Sequence, residues 1–139
     1  MSNIDRPSWD KIWIDFASLI SERSYDPRHK VGAIVVTSDN TQVLSIGYNG
    51  NFSGGPNRVE SEVPGESGMI HAEINCLLKM DYNNPKRKIM YLTLSPCRMC
   101  AKAIVNAGIS EVVFAEKYRD LSSLNILKEA GVLYREYLN

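Results

Sequence analysis

Two short segments hold most of the residues able to do chemistry: His71-Ala72-Glu73 and Pro96-Cys97-Arg98-Met99-Cys100. Cys97 and Cys100 are three positions apart, so on a helix both sulfurs face one side of the first turn. His71 falls in the first turn of another predicted helix. One imidazole and two thiols delivered from two helix starts suit tetrahedral zinc, with a fourth position left open as in catalytic sites. Helix N-termini favour thiolates, and two thiolates with a neutral imidazole offset the ion's charge.

Two plainer readings of the cysteine pair stand beside this one. A structural zinc needs a fourth ligand, and Cys76 is the only cysteine left to supply it. Cys76 lies five residues after His71, about 140° around a helix, which suits a small apolar core residue better. A thioredoxin-like redox pair leaves His71 and Glu73 without a role. His29, between Arg28 and Lys30, reads as a surface residue. Glu73 is two residues past His71, about 200° around a regular helix, so it is not expected to ligate the same ion. At a helix start its carboxylate can still reach a water at the open position and shuttle protons. The alternative is an exposed first-turn Glu facing the helix dipole.

The elements that must position these groups follow from hydrophobic period. Trp9, Ile12, Trp13, Phe16, Leu19 and Ile20 form a helical stripe with Ser8 as its cap, and Asp26-Pro27 ends or follows it. Residues 31–37 and 43–48 read as strands joined through Ser38-Asp39-Asn40, an antiparallel hairpin. Residues 49–68 are rich in Gly, Ser, Pro and Glu, and a loop of that length in a compact domain tends to be functional or mobile. A helix over 69–80, a strand over 89–94, a helix over 97–107 and a strand over 111–115 come next. A helix over 121–130 and a strand over 132–137 complete the order. Gly108 and Gly131 stand where helix stops belong. The alternation predicts one domain over residues 1–139, a three-layer α/β/α sandwich around a five-stranded mixed sheet whose later strands are parallel.

Composition narrows the function classes. The 139 residues are 44% apolar and 23% charged, ordinary for a globular chain, and Lys+Arg 16 balances Asp+Glu 16. Zero net charge argues against gripping nucleic acid by overall charge. No apolar run approaches the roughly 20 residues of a membrane span, and the N-terminus resembles no targeting peptide. Three cysteines are too few for a disulfide framework, which points to a reducing, cytoplasmic setting.

The pattern H-x-E…P-C-x-x-C resembles the signature of zinc-dependent nucleobase deaminases. Over nearly its whole length the chain is similar to deoxycytidylate (dCMP) deaminases. The similarity is carried by Asp26-Pro27, Lys30-Val31-Gly32-Ala33, Gly47-Tyr48-Asn49-Gly50, His71-Ala72-Glu73-Ile74-Asn75 and Tyr91-Leu92-Thr93-Leu94-Ser95-Pro96-Cys97. Ala101-Lys102-Ala103-Ile104 and Ala130-Gly131-Val132 extend it. Gly47-Tyr48-Asn49-Gly50 is the piece specific to the dCMP group.

The resemblance implies the cytidine-deaminase-like fold, one catalytic Zn2+ on His71, Cys97 and Cys100, and hydrolysis of dCMP to dUMP and ammonia for thymidylate synthesis. It also implies a homo-oligomer, often a hexamer, activated by dCTP and inhibited by dTTP, with Mg2+ accompanying a triphosphate. No second, structural zinc is expected, because no Cys precedes Cys76 and no His lies between His29 and His71. By the same resemblance the Ala72 N–H meets the pyrimidine O2 and the Ser95 carbonyl accepts from the exocyclic amine. Asn49 holds the sugar 3′-hydroxyl, Tyr118 borders the sugar, and Glu73 carries protons to N3 and to the departing ammonia. Arg28 and Arg119, beside strand ends, suit the phosphate. The effector site is expected around Gly47, Tyr48, Asn49 and Gly50, with Arg23 and Arg58 for its phosphates. Rival readings are a deaminase of dCTP or cytidine, a tRNA-adenosine deaminase, which needs a basic track along the pocket rim, and a non-catalytic nucleotide sensor, which has no use for Glu73.

Overall fold

The structure, a computed structural model, describes residues 5–57, 59, 68–118 and 120–139. Helix α1 (Trp9–Ser21) opens on Ser8, whose hydroxyl accepts from the Lys11 N–H at 3.1 Å. Strands β1 (Gly32–Thr37) and β2 (Val43–Tyr48) form the antiparallel hairpin. Then follow α2 (Ala72–Leu78), β3 (Lys88–Leu94), α3 (Arg98–Asn106), β4 (Glu111–Glu116), α4 (Ser122–Glu129) and β5 (Leu133–Glu136). Gly108 and Gly131 have φ of 81° and 79°, just past the ends of α3 and α4, where a Cβ would be strained.

The sheet order is β2-β1-β3-β4-β5, with β1 antiparallel to both neighbours and β3, β4 and β5 parallel. Helix α1 covers one face, packing Trp13, Ile14 and Ala17 on Ile34, Val36, Tyr91 and Val113. Helices α2, α3 and α4 cover the other, around Val35, Met90, Leu92, Val112 and Phe114. The three layers expected from the alternation are there. Among the described residues no helix is long and apolar enough to cross a membrane.

The helix expected over 69–80 is shorter at both ends, and the reason for its late start lies outside its own sequence. Ile70 pairs with Gly50 in an isolated antiparallel bridge, which holds the chain extended up to His71. His71, with φ −66° and ψ 154°, is therefore the N-cap of α2 and not part of its first turn. Likewise Cys97 is the N-cap of α3, and its sulfur accepts from the Cys100 N–H at 3.4 Å.

The strand pairing puts several chain segments at one end of the sheet. Gly32 at the start of β1 pairs with Tyr48 at the end of β2. Ala33 pairs with Leu92 near the end of β3, and Leu94 pairs with Glu116 at the end of β4. The loop before β1 and the chain leaving β2, β3 and β4 thus share one edge, where open α/β sheets bind ligands.

Candidate metal centre and active site

Both helix N-caps carry a metal-ligand side chain to that edge. The Sγ atoms of Cys97 and Cys100 lie 3.6 and 3.5 Å from His71 Nδ1, and all three ligand atoms fall within 4.8 Å of one another. With Zn–S near 2.3 Å and Zn–N near 2.05 Å, a tetrahedral centre needs an S···N separation of about 3.6 Å. The donor set therefore fits zinc in kind and in spacing.

The electrostatics of the cluster agree. The hydrogen bond from Cys100, then those from His71 and the Cys100 N–H, pull the Cys97 thiol down to about 4, so it is a thiolate at a helix N-terminus. Its proton-sharing partner Cys100 is pushed up, because it donates to Cys97 and is buried. Cys76 differs: it sits in the core with 0% exposure, and burial drives its thiol up to about 12. It is an inert core residue.

Glu73 is only 4% exposed, so it is not a solvated first-turn residue. Burial pushes its carboxyl up to about 7, and the Cys100 side chain interacts with it directly, which places it against the ligand cluster. The depth of α2 on the sheet explains its burial. A Cβ on Gly47 would lie 2.5 Å from both the Ala72 carbonyl oxygen and the Cys76 nitrogen. Only glycine lets α2 settle that close to β2. Gly47 accordingly packs under α2, while Tyr48, Asn49 and Gly50 line a polar cavity of about 340 Å³ together with Arg23, Tyr25 and Phe52. The ligand cluster and Glu73 do not line it.

The other expected residues are distributed as follows. Ala72 is buried and opens α2, so its N–H belongs to the first turn, whose N–H groups lack partners inside the helix. Ser95 is buried between β3 and α3, where its N–H donates to the Glu116 carbonyl and its hydroxyl accepts from the Tyr118 N–H at 2.6 Å. That bond brings the chain leaving β4 to the same edge. Asn49 is buried with its amide committed to the chain around it. Its Oδ1 accepts from the Val31 N–H at 2.9 Å, and its Nδ2 donates to the His29 carbonyl and toward Met69 Sδ. Arg28 and His29 are exposed on the loop before β1. Arg58 and Arg119 lie outside the described residues.

Three side chains with no catalytic signature shape this edge. Thr93 Oγ1 accepts from the Gly32 N–H at 3.0 Å, and Asn75 Nδ2 donates to the carbonyls of Tyr48 and Ile70 at 2.9 and 3.4 Å. Asp26 caps the loop before β1. Asp26 left a cue of its own in the Asp-Pro turn pair, whereas Thr93 and Asn75 entered only as parts of the matching segments.

The sequence profile of the cytidine and deoxycytidylate deaminase zinc-binding region matches residues 7–116, which include both halves of the metal cluster. The chain belongs to this family. Human deoxycytidylate deaminase is 33% identical to this family member over 150 residues, covering 96% of this chain and 82% of the human protein. Deoxycytidylate deaminase of Mycobacterium phage D29 is 33% identical over 129 residues, covering 82% of this chain and 99% of its own. The dCMP deaminase of cyanophage S-TIM5, solved in complex with dCMP and dUMP, superposes with a TM-score of 0.81 at 31% identity. That match covers 96% of this deaminase-family chain and all of the phage chain.

Proposed function

We propose that residues 1–139 work as one zinc-dependent deaminase domain that hydrolyses dCMP to dUMP and ammonia, supplying dUMP for thymidylate synthesis. The observation that carries the reading is a buried Glu73 set against a His71–Cys97–Cys100 cluster, in a chain similar over 96% of its length to a deoxycytidylate deaminase. His71, Cys97 and Cys100 hold the metal. When bound, zinc supplies a Lewis acid that brings a water toward ionisation near neutral pH. Glu73 accepts a proton from the attacking water as its oxygen bonds to C4, and delivers one to N3 of the pyrimidine. Glu73 then takes the second proton from the C4 hydroxyl and passes it to the exocyclic nitrogen as the C4–N bond breaks, the C4 carbonyl forms and ammonia leaves.

The surrounding chain orients the substrate. The Ala72 N–H donates to the pyrimidine O2, and the Ser95 carbonyl accepts from the exocyclic amine. Asn49 has its N–H groups committed, so it meets the sugar 3′-hydroxyl as an acceptor through the remaining lone pair of Oδ1. Tyr118 borders the sugar, and Arg28 and Arg119 take the phosphate.

Regulation is the finer part of the proposal. The cavity beside Arg23, Tyr48 and Gly50 suits a nucleotide triphosphate with its Mg2+, dCTP or dTTP, in a cytoplasmic homo-oligomer. Its floor is one bridge away from His71 through Gly50 and Ile70, a short path for coupling. Ammonia release from dCMP, dCTP, cytidine and tRNA, each with and without the triphosphates, tests the whole reading. Preference for dCMP, a sigmoidal curve made hyperbolic by dCTP and suppression by dTTP are expected. Preference for tRNA overturns the substrate class.

A further inference from the structure

Asp26 is a carboxylate with 0% exposure that takes no part in the chemistry above. Its Oδ1 accepts from the backbone N–H groups of Arg28 and His29 at 2.8 and 3.1 Å, closing a turn over Pro27. Asn49 holds the same loop farther along, accepting from the Val31 N–H and donating to the His29 carbonyl. Two buried side chains, one before β1 and one after β2, therefore fix four backbone groups of residues 28–31. Arg28, His29 and Lys30, which lie within this stretch, are basic and exposed.

An asparagine or serine can close such a turn without burying a charge. Burying a carboxylate carries a desolvation cost, and hydrogen bonds to an ionised carboxylate are roughly twice as strong as neutral ones. The turn is thus held more firmly than chain reversal requires. A rigid basic loop loses less freedom on meeting an anion than a slack one does. The loop also stands at the reacting edge: Asn49 contacts Met69, and Gly50 pairs with Ile70, beside His71.

We propose that Asp26 is a positioning residue for substrate recognition, holding the 28–31 loop in the shape that presents Arg28 to the substrate's 5′-phosphate. The inference rests on the dCMP reading and adds to it a residue that never touches the substrate.

The test is steady-state kinetics on dCMP and deoxycytidine for wild type, Asp26→Asn, Arg28→Ala and the double variant. Asp26→Asn is expected to raise KM for dCMP about tenfold, with kcat and the slow deoxycytidine reaction kept within about twofold. In the Arg28→Ala background it should add little further, since the two act through one contact. Equal losses on both substrates, or a full extra rise in that background, would overturn the proposal. Pro27→Gly loosens the same turn and leaves the carboxylate in place; it should give the same split, and it decides the matter if the asparagine variant does not fold. A wild type that handles deoxycytidine as well as dCMP sinks the phosphate reading first, and this proposal with it.

Discussion

At the residue scale, Glu73 concentrates the consequences. Its neighbours were legible: residue type and spacing singled out His71, Cys97 and Cys100 as a possible ligand set, and the structure brings the three together. Its burial was not, because that depends on Gly47, a residue 26 positions earlier whose missing side chain lets α2 sit on the sheet. A Gln keeps the shape of the side chain and removes its proton chemistry. Glu73→Gln is expected to hold zinc and fold like wild type while losing turnover by about 10²–10⁴-fold or more, since one group handles several transfers. Metal analysis and single-turnover rates on the same preparation check this, and a variant within tenfold of wild type removes Glu73 from the mechanism.

At the element scale, the order of helices and strands followed from local period, and the start of α2 moved for a non-local reason. The Gly50–Ile70 bridge cuts the expected helix back to Ala72, and nothing near Ile70 in sequence announces a partner 20 residues away. The same holds for Asn75, a helical residue whose partners are a strand end and that bridge. The two glycines of Gly47-Tyr48-Asn49-Gly50 look alike in sequence but face different surroundings. Gly47→Ala drives a Cβ into the α2 backbone, an overpacking expected to cost about 1–3 kcal/mol and to displace His71 and Glu73 together. A Cβ at Gly50 meets only the Tyr48 ring at 3.7 Å, so Gly50→Ala should stay within about 0.5 kcal/mol. Denaturant unfolding with zinc content separates the two, and equal behaviour would mean α2 is not seated on β2 as described.

At the scale of the whole molecule, one polar contact ties the first helix to the last strand. Asp10 accepts from Tyr91 Oη at 2.7 Å and pairs with Arg135, which also reaches Glu111 at 2.9 Å. The Arg135 hydrogen bond holds the Asp10 carboxyl below its usual range, with burial opposing and Tyr91 adding to the effect. A depressed folded-state value means the stabilisation is present above the unfolded value of about 3.9 and is lost as pH falls through the folded one. Arg135 is 44% exposed, so solvent screening limits the contribution to about 1 kcal/mol or less. Asp10→Asn should therefore lower the unfolding free energy slightly at neutral pH, and the gap to wild type should close below about pH 4. A gap that persists unchanged at pH 3 would assign the loss to packing instead.

The central claim, that a metal held by His71, Cys97 and Cys100 serves dCMP hydrolysis, is open to one direct measurement. Zinc content and dCMP turnover are followed on the same wild-type protein as a chelator withdraws the metal and added zinc restores it. Activity is expected to fall and return in proportion to zinc, reaching its maximum at one ion per chain. Full conversion of dCMP to dUMP by protein stripped of its metal would contradict the account.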